Sequence, residues 1–264
     1  MKISIIGAGA MGGAMARGWL KGETFKSEDI TMAAPSQRTL DRFLETGVSL
    51  THDNKLAAAQ SDIVCVVVKP WLVEQVLTEI KPVMDYNKQI LVVVAAGITS
   101  EQVNGWMAKD DNTLPPLFLV VPNTAIEMLS SMTFITPVNA SDGHIKLIKE
   151  IFDETGETMI VEEKMLAAGS TIASCGIAYA MRYVRASMEG GVEIGFRADV
   201  ARRIVLQTVK GAVALLQANG NHPEAEIDKV TTAGGITIRG LNEMEHAGFT
   251  SAVIRGLKAG MKKG

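Results

Sequence analysis

The run Gly7-Ala8-Gly9-Ala10-Met11-Gly12 is the first place where residue type and spacing could do chemistry. A GxGxxG pattern suits a backbone that turns tightly at its first glycine, approaches a pyrophosphate at its second and packs a helix on a strand at its third. Free N–H groups at the start of that helix would face the anion. These residues predict a dinucleotide site, with a purely structural glycine turn as the alternative.

Other positions extend the reading. An NAD site usually places an acidic residue at the end of its second strand, to bond the ribose hydroxyls. Here the strand ends in Ala33-Ala34 and continues as Pro35-Ser36-Gln37-Arg38, offering a hydroxyl, an amide and a guanidinium instead. That favours NADP over NAD, although Arg38 could equally be a solvated residue on a first helical turn. Val68-Lys69-Pro70, Ala95-Ala96-Gly97 and Pro122-Asn123-Thr124 each follow an apolar strand-like run. Ligands of open α/β sheets bind outside the strand C-termini, so backbone at Lys69, Pro70, Ala95, Gly97 and Asn123 is expected to line the nicotinamide half of the cofactor. Lys69 fits a surface charge as well. Far along the chain, Thr231-Thr232-Ala233-Gly234-Gly235-Ile236-Thr237 opens a second helix with glycines and threonines. Its N–H groups could hold a substrate carboxylate and its hydroxyls a second polar atom, or the segment could be an ordinary capped turn.

Positioning these residues calls for a particular order of elements. Short apolar runs at 2–6, 30–34, 63–68 and 90–94 alternate with helical spacing at 11–20, 37–45, 73–80 and 100–107. Alternation of this kind predicts parallel strands joined by helical crossovers. Further strands are expected at 117–121, 132–136 and 158–161, with a helix over 143–154. Beyond Glu162 strand signals stop, and helices are expected over 163–169, 174–194, 197–219, 223–230, 236–247 and 249–262. The predicted architecture is α/β followed by all-α: a Rossmann-like doubly wound domain over 1–161 and a helical domain over 162–264. Small residues such as Gly176, Ala180, Gly211 and Ala212 are expected to allow close helix packing.

Composition narrows the function classes. The 264 residues carry a net charge of −3, are 47% hydrophobic and 21% charged, and contain 25 Gly and 8 Pro, the profile of an ordinary globular chain. Without a basic excess or any long run of like charge, nucleic acid and anionic membranes are poor partners. The stretch 165–181 is too polar and too short to span lipid. Glycines at 7, 9, 12, 13 and 18 argue against reading the N-terminal apolar stretch as a secretory leader. Two cysteines, Cys65 and Cys175, without metal-ligand spacing, fit buried packing in a reducing cytoplasm and no metal site. The four histidines, His52, His144, His222 and His246, sit in turn-like or polar settings that suggest no catalytic placement.

Taken together, Ile5-Ile6-Gly7-Ala8-Gly9-Ala10-Met11-Gly12, Val68-Lys69-Pro70, Ala95-Ala96-Gly97-Ile98-Thr99, Pro122-Asn123-Thr124 and Gly234-Gly235-Ile236-Thr237-Ile238 resemble the pyrroline-5-carboxylate reductase family nearly end to end. The resemblance implies NAD(P)H-dependent reduction of a cyclic imine to L-proline by a dimer whose helical domains intertwine. It places cofactor contacts on Gly9, Ala10, Met11, Ser36, Asn54, Lys69 and Ala95, and substrate contacts on Thr232, Gly234, Gly235 and Thr237. In the family the hydroxyl matching Thr237 lies near the ring nitrogen and the glycine backbone near the carboxylate. The chain departs from the family at Leu119, Ile177, Ala233 and Ile236, where arginine, proline, proline and threonine are usual. Two other readings stand beside this one. A reductase of another imine or of a β-hydroxy acid would use a lysine in the helical domain, with Lys164 and Lys210 as candidates. A non-catalytic NADP-binding regulator would have kept only the nucleotide site.

Overall fold

The strands are apolar on both faces because both faces are covered, so alternate side chains enter two separate cores. In the computed structural model, which describes residues 1–261, eight strands form one sheet. They are β1 (Ile3–Ile6), β2 (Ile30–Ala33), β3 (Ser49–Thr51), β4 (Ile63–Val66), β5 (Ile90–Val93), β6 (Leu117–Val121), β7 (Ser131–Val138) and β8 (Gly156–Ile160). The helices of this region are α1 (Ala10–Lys21), α2 (Gln37–Leu40), α3 (Asn54–Ala59), α4 (Val73–Ile80), α5 (Ser100–Met107), α6 (Asp142–Asp153) and α7 (Leu166–Gly169). On one face Ile3, Ile5, Met32, Cys65, Val92 and Phe118 meet Met15 and Trp19 of α1 and Ile148, Ile151 and Phe152 of α6. On the other, Ile6, Val64, Val66, Leu91, Val93 and Leu119 meet Ala57 and Ala58 of α3, Val76, Leu77 and Ile80 of α4, and Val103 and Met107 of α5.

The strand order is β3-β2-β1-β4-β5-β6-β7-β8. The chain winds outward from β1 to β3, then crosses back to β4, which makes the C-terminal ends of β1 and β4 the point where the winding reverses. A crevice opens there in doubly wound sheets. Strands β1 to β6 are parallel, whereas β7 runs antiparallel to β6 with Val120 opposite Ile135, and β8 lies parallel to β7. Only the short turn Thr124–Met128 intervenes between β6 and β7, too little chain for a crossover helix.

Several expected elements shift. The helix expected over 37–45 is α2 followed by a 3₁₀ turn, Asp41–Thr46. The short elements β3 and α3 were not anticipated. A π-helical turn, Ser170–Cys175, leads into α8 (Gly176–Glu193), followed by α9 (Ala198–Asn219), α10 (Pro223–Lys229), α11 (Ile236–His246) and α12 (Phe249–Gly260). The C-terminal end of the last expected helix, Lys262, lies outside the described residues.

The chain divides into Met1–Ser174 and Cys175–Gly264, some residues later than the boundary expected near 161. Residues 163–174 stay with the sheet for stated reasons. Leu166 joins the second core, a Cβ on Gly169 would stand 2.7 Å from the Phe134 ring, and the Ser174 hydroxyl donates to the Pro122 carbonyl at 3.0 Å. In the second unit a Cβ on Gly191 would stand 3.0 Å from that of Ala201, so α8 and α9 do approach closely. Gly176 and Gly211, expected to mark such approaches, instead face open space within this chain.

Candidate active site

Gly7 and Gly12 are glycines because the backbone leaves no room for anything larger. Gly7 has φ +113 and a Cβ there would stand 2.2 Å from the Val67 carbonyl oxygen, on the strand across the reversal point. Gly12 packs so closely that its Cβ would lie 2.0 Å from the Gly7 oxygen. The turn is pinned on both sides, by Gly7 N–H donating to Ala33 O and Val67 N–H donating to Ile6 O, both at 2.8 Å. Gly9 is different. It is exposed, has φ −70, and nothing lies within 4 Å of a Cβ built on it. No internal contact requires a glycine there, and the open space sits at the start of α1, where Gly13 is the first residue to donate to Gly9 O. The preceding N–H groups of Ala10, Met11 and Gly12 have no helical acceptor and the first turn carries no acidic residue, so the cradle fits a pyrophosphate.

The other strand ends surround this turn. Ser36 is the N-cap of α2 yet makes no capping bond with its side chain, and Arg38 is exposed and enters no ion pair among the described residues. Lys69 is likewise exposed, at the start of the turn Pro70–Leu72. Ala95 and Gly97 follow β5, Gly97 with φ +81. The loop between them and α5 is fastened by Glu163, whose carboxylate accepts from Ser100 N–H at 2.9 Å and from its hydroxyl at 2.5 Å. Two expected contacts are spent internally. Asn54 donates to Glu79 at 2.9 Å. Asn123 is buried, accepts from Ala125 N–H at 3.0 Å and donates to Ala173 O at 3.4 Å, while its own N–H donates to the Ser131 hydroxyl at 3.2 Å and its carbonyl accepts from Ile126 N–H at 3.1 Å. Arg17 of α1 clasps Glu127 with two nitrogens at 2.8 and 3.0 Å, tying the turn after Asn123 to α1. That contact holds the Glu127 carboxyl below the usual carboxylate range.

His52, which the sequence left in a polar turn, proves to be engaged beside Ser36 and Arg38. Its Nδ1 lies 2.8 Å from Ala34 O and its Nε2 2.9 Å from Gln37 Oε1. Its signal would have been the position just after β3, a strand too short to be noticed. Cys65 lies in the core, where burial pushes its thiol up and removes it as a nucleophile.

In the second unit, Gly234 has φ +68 and Gly235 N–H donates to Thr232 O at 2.9 Å. A Cβ on Gly235 would stand 2.5 Å from the Thr232 hydroxyl, so this turn too is held by glycine. Gly235 is the N-cap of α11 and contributes no side chain, leaving the N–H groups of Ile236, Thr237 and Ile238 free. Thr237 is half-buried with no hydrogen-bond partner for its hydroxyl among the described residues, while Arg239 reaches back to Gly234 O at 3.2 Å. Among the described residues no cluster of His, Cys, Asp and Glu could hold a metal ion.

The chain is similar to known proteins along nearly its whole length. Residues 163–264 match the family profile for pyrroline-5-carboxylate reductase dimerisation, and residues 2–97 match that of NADP oxidoreductases, coenzyme F420-dependent. Pyrroline-5-carboxylate reductase 1 of Dictyostelium discoideum is 37% identical over 97% of this chain, which spans 48% of that protein's length. Pyrroline-5-carboxylate reductase 2 of the same organism is 35% identical, with 99% of this chain and 91% of the relative covered. The fold is also that of Plasmodium falciparum pyrroline carboxylate reductase solved with NADP bound, with TM-score 0.90 at 24% identity, covering 99% of this chain and 95% of that one. The chain belongs to the pyrroline-5-carboxylate reductase family.

Proposed function

We propose that the protein reduces 1-pyrroline-5-carboxylate to L-proline, with NADPH preferred over NADH, as a cytoplasmic homodimer or a higher oligomer built from dimers. The observation that carries the reading is the presence, in one chain, of two glycine-held helix starts: an open one at Gly9 and a second at Gly235 beside an unpartnered Thr237 hydroxyl. Their relatives' names supply the substrate, and the Plasmodium protein's bound NADP supports the nucleotide.

In this reading Gly7 to Gly12 hold the pyrophosphate, and Ser36 and Arg38 the 2′-phosphate. Lys69, Pro70, Ala95, Gly97 and the strand end at Asn123 line the nicotinamide half. When bound, NADPH supplies the hydride. The N–H groups after Gly235 hold the substrate carboxylate, with Thr232 and Gly234 shaping the turn, and Thr237 orients the ring nitrogen. A protonated imine is already electrophilic, so positioning rather than a strong acid is what the protein must provide. The reading gives cofactor binding to Met1–Ser174 and substrate with dimer contacts to Cys175–Gly264, the roles expected for 1–161 and 162–264.

The rival readings find less support. Lys164 is exposed and paired with Glu162 at 2.5 Å, and Lys210 is exposed along α9 without a carboxylate partner among the described residues, so neither is built as a catalytic lysine. Leu119, where the family has arginine, is core packing in β6, which is the observation that favours a regulator. The two unpaired cysteines support a reducing compartment, and no described helix is long and apolar enough to cross a membrane. Purified protein is expected to oxidise NADPH when given pyrroline-5-carboxylate, with L-proline as the product. Nucleotide binding without turnover on this imine would replace the proposal with one of the other two readings.

The homodimer rests on an energetic argument. Across α8 to α12, Ala201 is the sole buried residue described, while Met181 is 64% exposed, Ile194 78% and Ile236 86%. Each large aliphatic side chain left in water forgoes about 1.5–3 kcal/mol of burial, so this unit needs a partner surface to be stable. Sedimentation at micromolar concentration is expected to give at least twice the chain mass. A stable monomer there would remove the dimer.

A further inference from the structure

We infer that His52 is a positioning residue of the dinucleotide site, a brace that holds the turn carrying Ser36 and Arg38 for a 2′-phosphate; this rests on the cofactor reading above. Strand β3 lies beside β2 with Thr51 opposite Ala33, so the next residue, His52, stands against the end of the second strand. Its Nδ1 is 2.8 Å from the Ala34 carbonyl oxygen, which can only accept, so that nitrogen carries a proton. Its Nε2 is 2.9 Å from Gln37 Oε1. The orientation of the Gln37 amide is set from its other end, where Nε2 donates to Asp41 Oδ1 at 2.8 Å. The two ring nitrogens are thus aimed at the two ends of one turn.

The consequence lies in what the brace holds. Ala34 and Gln37 flank Pro35 and Ser36, so the His52 ring bridges the two ends of the turn on which the free hydroxyl of Ser36 and the free guanidinium of Arg38 stand. His52 is itself exposed. The nearby carboxylates are occupied elsewhere: Asp41 takes the Gln37 amide, and Asp53 caps α3 by accepting from Lys55 and Leu56 N–H at 2.8 and 3.0 Å. The brace thus holds the residues that carry a hydroxyl and a guanidinium at a strand end where no carboxylate awaits a ribose diol. That arrangement discriminates for a phosphate and contributes little to an unphosphorylated ribose.

The test measures binary affinities of the full chain for NADPH and NADH by nicotinamide fluorescence, with Arg38→Ala as the benchmark for a direct phosphate contact, at a loss of about tenfold or more. His52→Asn keeps an N–H for Ala34 O but drops the reach to Gln37. It is expected to weaken NADPH about three- to tenfold and NADH by less than about twofold, with melting temperature unchanged, because only the placement of the phosphate contacts is affected. His52→Gln, which restores the reach to Gln37, is expected to recover part of the NADPH affinity. Equal losses for both cofactors, no loss for either, or a Gln variant no better than Asn would overturn the role of His52 while leaving the cofactor reading standing. A wild-type protein that binds NADH as tightly as NADPH would overturn both.

Discussion

Gly12→Ala is expected to cost the protein much of its stability, whereas Gly9→Val is expected to leave the fold intact and remove the cofactor. The two glycines belong to one motif but answer to different forces. At Gly12 the added methyl would stand 2.0 Å from the Gly7 oxygen and 3.0 Å from Ile5 Cγ2, and Gly7 cannot retreat because its own Cβ position lies 2.2 Å from Val67 O. Overpacking usually costs about 1–3 kcal/mol, and more where backbone rather than a flexible side chain is in the way. For a chain of this size that lowers Tm by about 2–4 °C per kcal/mol, so a fall of roughly 6 °C or more is expected by thermal melting. At Gly9, a backbone with φ −70 and open space accepts valine without strain. The branched side chain would occupy the cradle over the free N–H groups of α1. Each charge-assisted bond so denied is worth about 1.5–3 kcal/mol, which predicts at least a tenfold rise in the NADPH Kd with Tm nearly constant. If Gly9→Val binds NADPH as the wild type does, the phosphate site is not at this turn.

The motif was legible from sequence because it is local: the glycines, the strand before them and the helix after them all fall between Ile3 and Lys21. Helix α5 was legible for the same reason, since Thr99 and Gln102 form a capping box that marks its first turn at Ser100. What escaped notice depends on distant pairing. Strand β3 has three residues, too few to show alternation, and exists because β2 offers it an edge. Helix α3 is six residues rich in alanine, with no apolar period to read. His52 stands between these two short elements, so its place in the site could not be seen until both were. The π-helical turn at Ser170–Cys175 reads from sequence as the start of a long helix. It stays with the sheet because Ser174 and Ala173 hydrogen-bond to Pro122 and Asn123, some fifty residues earlier. The same contacts explain why Asn123, correctly placed at a strand end, keeps its side chain for the fold.

The substrate turn is where sequence left two meanings open, and Thr237→Val separates them by comparing stability with rate. If threonine capped the helix, its loss would cost roughly 1 kcal/mol and a few degrees of Tm. The structure removes that cost, because the cap position is Gly235 and the Thr237 hydroxyl has no hydrogen-bond partner among the described residues. Valine has nearly the same helix propensity and outline, so the variant is expected to melt with the wild type and to bind NADPH as tightly. Its kcat/KM for pyrroline-5-carboxylate should nevertheless fall. A single neutral hydrogen bond predicts roughly 3- to 10-fold, and a bond that orients the ring nitrogen in the transition state could raise this to about 100-fold. The distribution of the loss is informative in its own right. A rise in KM alone would mean that the hydroxyl binds ground and transition states equally, whereas a fall in kcat would mean that it acts in the hydride step. Thr237→Ser, which returns the hydroxyl without the methyl, should recover most of the rate. A Thr237→Val protein with unchanged kcat/KM would take the residue out of the site and leave the carboxylate contact at Gly235 as the whole of the substrate turn's contribution.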